Sequence, residues 1–170
     1  MLSFLPAFLR GTLATLLLAL NTICCASLLF VLALIKLLPI RSLQKLCTLI
    51  MIEVAELWMY CNSGWIALVG KTKWEVEGLE QLDYKGWYLV TSNHQSWVDI
   101  VALQHVLNRR MPMLKFFLKQ ELIWVPVIGL CWWALDFPFM KRYSKAFLAK
   151  YPEKAGQDLA TTRKACEKFK

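Results

Sequence analysis

A run of 25 residues without a charged side chain, residues 11–35, constrains this 170-residue chain more than any other feature. As an α-helix at about 1.5 Å per residue the run would be roughly 37 Å long, enough to cross a hydrocarbon core of about 30 Å with some tilt. A cleaved signal peptide would have an apolar core of about 7 to 15 residues and a small-residue cleavage site, and no such site is evident. We therefore predict an uncleaved transmembrane anchor over residues 1–38.

The charges beside this anchor predict its orientation. Arg10 precedes the apolar run, whereas Lys36, Arg41 and Lys45 follow it. For a single span, the positive-inside rule then places everything after the span in the cytoplasm. The six cysteines form no C-x-x-C pair, which agrees with reduced cytosolic thiols.

A second helix is predicted over residues 41–61, where apolar side chains recur at helical spacing. Glu53 and Glu56 fall largely on another side of this helix. Two acids near the middle of a span would each cost about 2.5 to 3.5 kcal/mol, so we predict an amphipathic interfacial helix within residues 39–70, with its apolar face toward lipid. A buried amphipathic helix of the following domain is the alternative.

From residue 71 onward, short apolar runs alternate with turn residues. The predicted strands cover residues 74–77, 87–91, 113–118 and 137–140, and the predicted helices cover 96–106 and 158–169. Strands that alternate with helices are typical of an α/β fold. We therefore predict that residues 71–170 form an incomplete mixed-sheet domain.

The formal net charge of +8 is unevenly distributed. Residues 1–103 contain 7 basic and 7 acidic side chains, and residues 104–170 contain 13 basic and 5 acidic ones. A membrane-tethered basic region predicts anionic lipid headgroups or phosphorylated substrates as partners. Nucleic acid is the rival partner, but no nucleic-acid motif is present, so we predict none. For any single lysine, a solvated surface position is the simpler alternative.

A histidine and a carboxylate follow the predicted strand at residues 87–91. His94 comes just after a turn at Asn93, and Asp99 lies five residues further on. On a regular helix that spacing corresponds to about 140° around the axis, so the two can pair only if His94 lies in the turn and Asp99 in the first helical turn. Asp99 would then accept the Nδ1 proton, which leaves Nε2 free to take a proton from a hydroxyl.

Three blocks, in order, resemble blocks of the glycerolipid acyltransferases, the family that includes 1-acylglycerol-3-phosphate acyltransferase. They are Asn-His-Gln-Ser-Trp-Val-Asp at 93–99 (N-H-x4-D), Lys-Gln-Glu-Leu at 119–122 with Pro126 and Gly129 (K-x-E-L, P, G), and Phe-Met-Lys-Arg at 139–142 (F-x-x-R). The resemblance is closest to a bacterial inner-membrane branch. It implies a protein of the cell inner membrane.

The resemblance also implies residue roles. His94 would be the general base and Asp99 its orienter, and the substrate-binding residues would be Arg142, Lys119 and Asn93. Arg142 suits the acceptor phosphate, with a surface cation as the alternative. Lys119 would stabilise the tetrahedral oxyanion, or else bind phosphate or pair with Glu121. The acceptor hydroxyl would attack the acyl donor directly, so we expect no cofactor and no metal.

The family's third block, F-P-E-G-T-R, does not follow the predicted C-terminal helix, so we expect residues 71–170 to be the N-terminal part of an acyltransferase domain. The main hypothesis is a membrane-bound O-acyltransferase of phospholipid synthesis or remodelling. It would move a fatty acyl chain from acyl-CoA or acyl carrier protein to the free hydroxyl of a lysophospholipid, with 1-acylglycerol 3-phosphate as the expected acceptor. The alternative is a non-catalytic, truncated, membrane-associated lipid-binding module.

Overall fold

The computed structural model describes residues 4–69, 72–141 and 143–168, and these are mostly helical. The helices are α1 (Ala7–Lys36), α2 (Arg41–Val69), α3 (Trp97–Leu107), α4 (Ile128–Ala134), α5 (Lys145–Lys150) and α6 (Gln157–Lys168). Short 3-10 helices cover Leu79–Gln81, Gln120–Trp124 and Pro152–Lys154, and the strands are β1 (Leu118–Lys119) and β2 (Phe139–Met140). The chain divides into two compact units between Leu114 and Lys115.

The predicted long apolar helix is present as α1. It has 30 residues and a mean hydropathy of 2.5 over its most apolar window. Within the described part of the chain, α1 is the one helix that is long and apolar enough to cross a membrane. Length and composition therefore make α1 the candidate membrane span.

α2 packs antiparallel along α1, and polar contacts mark the register. Arg10 Nη1 donates to the carbonyl oxygen of Val69 near one end of the hairpin (3.4 Å). Midway along, Asn21 Nδ2 donates to Asn62 Oδ1 (2.8 Å) and to the carbonyl oxygen of Trp58 (3.0 Å). Asn62 is buried, so its amide needs such a partner. These contacts bring the C-terminal end of α2 beside the N-terminal end of α1.

The second helix is longer than predicted, and one of its acids lies elsewhere than expected. α2 extends to Val69, beyond the predicted end near residue 61. Glu53 is exposed as predicted, but Glu56 is only 2% exposed. A buried carboxylate requires charged or hydrogen-bonding partners, and those of Glu56 lie on other segments of the chain. Helical periodicity could not reveal them.

The predicted α/β fold with a mixed sheet is confirmed only in part, because the described chain is mostly helical and its sheet has two strands. Residues 74–77 and 87–91 have no regular secondary structure. Of the segments predicted as strands at 113–118 and 137–140, only β1 and β2 form, as a two-stranded parallel sheet. Alternation of side chains indicates which faces a strand would have, but a strand also needs a neighbour for its backbone hydrogen bonds. Among the described residues, the first two segments have no such neighbour.

The unit from Lys115 onward contains this sheet. Leu118 pairs with Phe139 and Lys119 with Met140, and α4 lies between the two strands in sequence, so one small β-α-β unit does form. The predicted helices at 96–106 and 158–169 are confirmed as α3 and α6. Helices α4 and α5 were not predicted, because seven and six residues are too few to establish a helical period.

Candidate active site

The segment around His94 is shaped by the start of α3. Ser96 is the N-cap residue, and its Oγ accepts a hydrogen bond from the backbone N–H of Val98 (3.2 Å). Asp99, the third helical residue, accepts in return from the backbone N–H of Ser96 through Oδ2 (2.7 Å). This reciprocal pair is a capping box, which satisfies N–H groups that have no partner within the helix. The capping box therefore decides where α3 begins.

The oxygen of Asp99 that caps the helix also faces the histidine. Asp99 Oδ2 accepts from the backbone N–H of Gln95 (2.6 Å) and lies 3.5 Å from His94 Nδ1. The backbone N–H groups of Ser96 and Gln95 are the main reasons why the pKa of Asp99 lies below its usual value, and His94 contributes less. At neutral pH Asp99 is therefore an ionised carboxylate beside the imidazole.

The structure has the geometry that the sequence predicts for His94 and Asp99, which lie five residues apart. His94 lies in the turn ahead of α3 and Asp99 in its first turn. The His94 side chain is 57% exposed and that of Asp99 34% exposed, so the imidazole is open to a reactant. With Nδ1 toward the carboxylate, Nε2 is free to exchange a proton. The pair can therefore act as a general base and its orienter, and these roles remain predictions.

The predicted substrate-binding residues are placed as follows. Asn93 is exposed and directly precedes His94. Lys119 is exposed on β1, in the other compact unit, and Glu121 is exposed in the 3-10 helix that follows. Arg142 lies outside the described residues. Within the first compact unit, the structure brings the side chains of His94 and Asp99 together.

The second sequence block that resembles the acyltransferases, at residues 119–129, has a defined local structure. Pro126 and Val127 precede α4, and Val127 has a φ of 64°, which a β-branched residue rarely adopts. Gly129 is buried in the first turn of α4, where a Cβ atom would collide with the backbone carbonyl of Ile123. A glycine at this position therefore lets α4 approach the preceding 3-10 helix closely.

A polar cluster around Glu56 of α2 was not predicted from the sequence. We call it the Glu56 cluster, and it consists of Glu53, Glu56, Tyr84, Asn108 and Arg109. Glu56 Oε1 accepts from the Tyr84 hydroxyl (2.7 Å), and Arg109 Nε lies 3.3 Å from Glu56 Oε2. This hydrogen bond and partial burial raise the pKa of Tyr84 to about 12. The sequence signal for this cluster was the pair Glu53 and Glu56 on a largely apolar helix. Their partners could not be identified, because they are distant in sequence.

No three His, Cys, Asp or Glu side chains within residues 4–69, 72–141 and 143–168 are grouped as metal ligands would be.

Comparison with known proteins identifies the family. A profile of the acyltransferase family matches residues 73–168, a little over half of the chain. The match includes the His94 turn, α3, Lys119 and Gly129. Neither the curated proteins nor the solved structures gave a match. The family profile agrees with the resemblance of the three sequence blocks, and the chain therefore belongs to the acyltransferase family.

Proposed function

We propose that this protein is a membrane-bound O-acyltransferase that transfers a fatty acyl chain from acyl-CoA or acyl carrier protein to the free hydroxyl of a lysophospholipid. The proposed acceptor is 1-acylglycerol 3-phosphate, and the process is phospholipid synthesis or remodelling. The observation that carries the proposal is the pairing of His94 with Asp99 at 3.5 Å inside the segment that matches the acyltransferase family.

The reaction needs one base and no covalent enzyme intermediate. Asp99 holds Nδ1–H of His94, and Nε2 takes the proton of the acceptor hydroxyl as its oxygen attacks the thioester carbonyl carbon. The tetrahedral intermediate then collapses, the carbon–sulfur bond breaks, and the protonated His94 returns the proton to the leaving thiolate. The products are an ester and a free thiol, and His94 is neutral again. The proposed mechanism requires no cofactor.

Basic residues would bind the negative charge of both substrates. We propose Arg142 for the acceptor phosphate, because a planar guanidinium can hold two phosphate oxygens at once. Lys119 is proposed to stabilise the oxyanion of the tetrahedral intermediate, and Asn93 is proposed to contact substrate beside His94. The excess of basic residues in 104–170 supports anionic lipids and phosphorylated substrates as partners, with no role for nucleic acid.

The arrangement of α1 and α2 affects which side of the membrane the proposed reaction would take place on. With a single span, α2 was expected to lie in the membrane interface. In the structure α2 instead packs back along α1 as a helical hairpin, so Val69 lies beside Arg10. The segment that follows α2 therefore starts at the Arg10 end of the hairpin. We propose that this end faces the cytoplasm of a cell with the protein in its inner membrane, because the basic C-terminal part suits the anionic cytoplasmic leaflet. In the hairpin, Lys36 and Arg41 lie at the opposite end, so the positive-inside argument for a single span does not apply to it.

The test is acyl transfer from labelled acyl-CoA or acyl carrier protein to 1-acylglycerol 3-phosphate, in membranes that carry the protein. His94→Ala should lower the rate by about 10²-fold or more, the usual contribution of a general base. Because His94 is exposed, this variant should remain folded and in the membrane fraction. Gln95→Ala is the matched control, since it changes the adjacent exposed side chain and keeps the backbone N–H that binds Asp99.

A His94→Ala variant that keeps more than a tenth of the rate would refute the proposed role of the histidine. A wild-type protein that binds lipid vesicles and transfers no acyl chain would instead indicate a lipid-binding module.

A further inference from the structure

The loop that carries the His94 turn is held at both ends by one buried carboxylate. Tyr84 lies ten residues before His94, and Arg109 lies just after the end of α3. The Tyr84 hydroxyl donates to Glu56 Oε1 (2.7 Å), and Arg109 Nε lies 3.3 Å from Glu56 Oε2. Glu56 is 2% exposed in the middle of α2. Glu56 on α2 therefore contacts two segments, which we call the arms. The first arm, at Tyr84, precedes the His94 turn, and the second arm, at Arg109, follows α3.

Further contacts fix the second arm. Asn108 Nδ2 donates to the backbone carbonyl of Glu56 (3.1 Å), and Arg109 Nη2 donates to Glu53 Oε2 (3.1 Å). Arg109 has a φ of 60°, a conformation rare for residues other than glycine, asparagine and aspartate. Such a backbone persists only where its surroundings hold it in place. The end of α3 is thus fixed by several contacts to α2.

The side chain of His94 is lightly held. It is 57% exposed and approaches Asp99 at 3.5 Å, while the backbone N–H groups of Gln95 and Ser96 tie the turn to the same carboxylate. Residues 86–94 between Tyr84 and the turn have no regular secondary structure. The position of His94 therefore depends on where the two ends of its loop are held.

We propose that Glu56 is a positioning residue for His94, because its carboxylate fixes both arms of the loop from Tyr84 to Arg109. The inference rests on the proposed function, in which His94 is the base. Release of either arm lets the His94–Asp99 pair move relative to the substrates, and a displacement of about 1 Å can lower a catalysed rate by about 10²-fold. Glu56 itself touches no reacting atom.

The test releases one arm at a time. Tyr84→Phe removes the hydroxyl that binds Glu56 and keeps the ring. Arg109→Asn removes both ion pairs, and asparagine tolerates the positive φ at this position. Arg110→Asn is the matched control, since Arg110 is the exposed next residue and the change removes the same charge.

The expected kinetic result follows from the shared carboxylate. Each arm variant should lower kcat by about tenfold or more, with KM changed less than about twofold, and Arg110→Asn should change neither. The double variant should lose little more than either single variant, because one released arm already frees the loop. The proposal would be overturned if the fold-loss of kcat in the double variant equalled the product of the two single losses. It would also be overturned if Arg110→Asn lowered kcat to a similar extent.

Hydrogen exchange tests the positioning separately from catalysis. The backbone N–H groups of Gln95 and Ser96 donate to Asp99, so their exchange should speed up at least tenfold in both arm variants while α1 exchange stays unchanged. Unchanged exchange at these two groups would overturn the proposal whatever the activity. Faster exchange in a protein whose wild type transfers no acyl chain would uphold the positioning role of Glu56 for the pair and refute the proposed function instead.

Discussion

Asp99 makes two kinds of contact that one substitution can separate. Its Oδ2 atom caps α3 by accepting from the backbone N–H groups of Gln95 and Ser96, and the same atom faces His94 Nδ1. In Asp99→Asn, the carboxamide oxygen can still accept from both backbone groups. The negative charge opposite the imidazole is lost. We therefore expect α3 to keep its starting position while acyl transfer slows.

The three distances to Asp99 Oδ2 set the expected magnitude. The backbone donors of Gln95 and Ser96 lie at 2.6 and 2.7 Å, whereas His94 Nδ1 lies at 3.5 Å, beyond the usual range of about 2.7 to 3.2 Å for a hydrogen bond. The contact to the histidine is thus the weakest of the three. We expect kcat to fall by roughly 10²-fold, the lower end of the general-base range.

Initial rates of acyl transfer and hydrogen exchange of α3 make up the assay. Ser96→Ala is the control, because it removes the capping hydroxyl at a cost of about 0.5 to 2 kcal/mol in helix stability and leaves the Asp99 charge in place. Asp99→Asn should slow transfer without faster exchange of the N–H groups of Gln95 and Ser96. Ser96→Ala should speed exchange at Val98, whose N–H loses its acceptor, with little change in transfer. The reasoning is refuted if Ser96→Ala slows transfer as much as Asp99→Asn does.

Two other changes test the structure around the site. Gly129→Ala should lower the free energy of unfolding by about 1 to 3 kcal/mol, because the new Cβ collides with the carbonyl of Ile123; Gly64→Ala on α2, where a Cβ meets nothing within 4 Å, should not lower it in the same denaturant titration. The hydrogen bond to Glu56 raises the pKa of Tyr84 from 10.0 to about 12, so its stabilisation is complete below pH 10 and is lost as the pH rises toward 12. Thermal unfolding between pH 9 and 12 should show this loss in the wild type, and an equal loss in Tyr84→Phe would contradict it.

The features that depend on neighbours in sequence were predictable. The charge-free run predicted α1, apolar periodicity predicted α3, and the charged segment at residues 158–169 predicted α6. The five-residue spacing of His94 and Asp99 specified that the histidine must precede the helix if the two are to meet, and the structure has that arrangement. All of these features depend on residues within a few helical turns of each other.

The sequence by itself therefore determined the long apolar helix, the start of α3 and the local geometry of the His94–Asp99 pair. The tertiary structure alone decided that α2 returns along α1, that two of the four predicted strands have no neighbour among the described residues, and that Glu56 is buried against Tyr84 and Arg109. The physical reason is the range of the interactions. A helix and its caps satisfy their backbone groups locally, whereas a strand or a buried carboxylate needs partners from distant segments that no local pattern identifies.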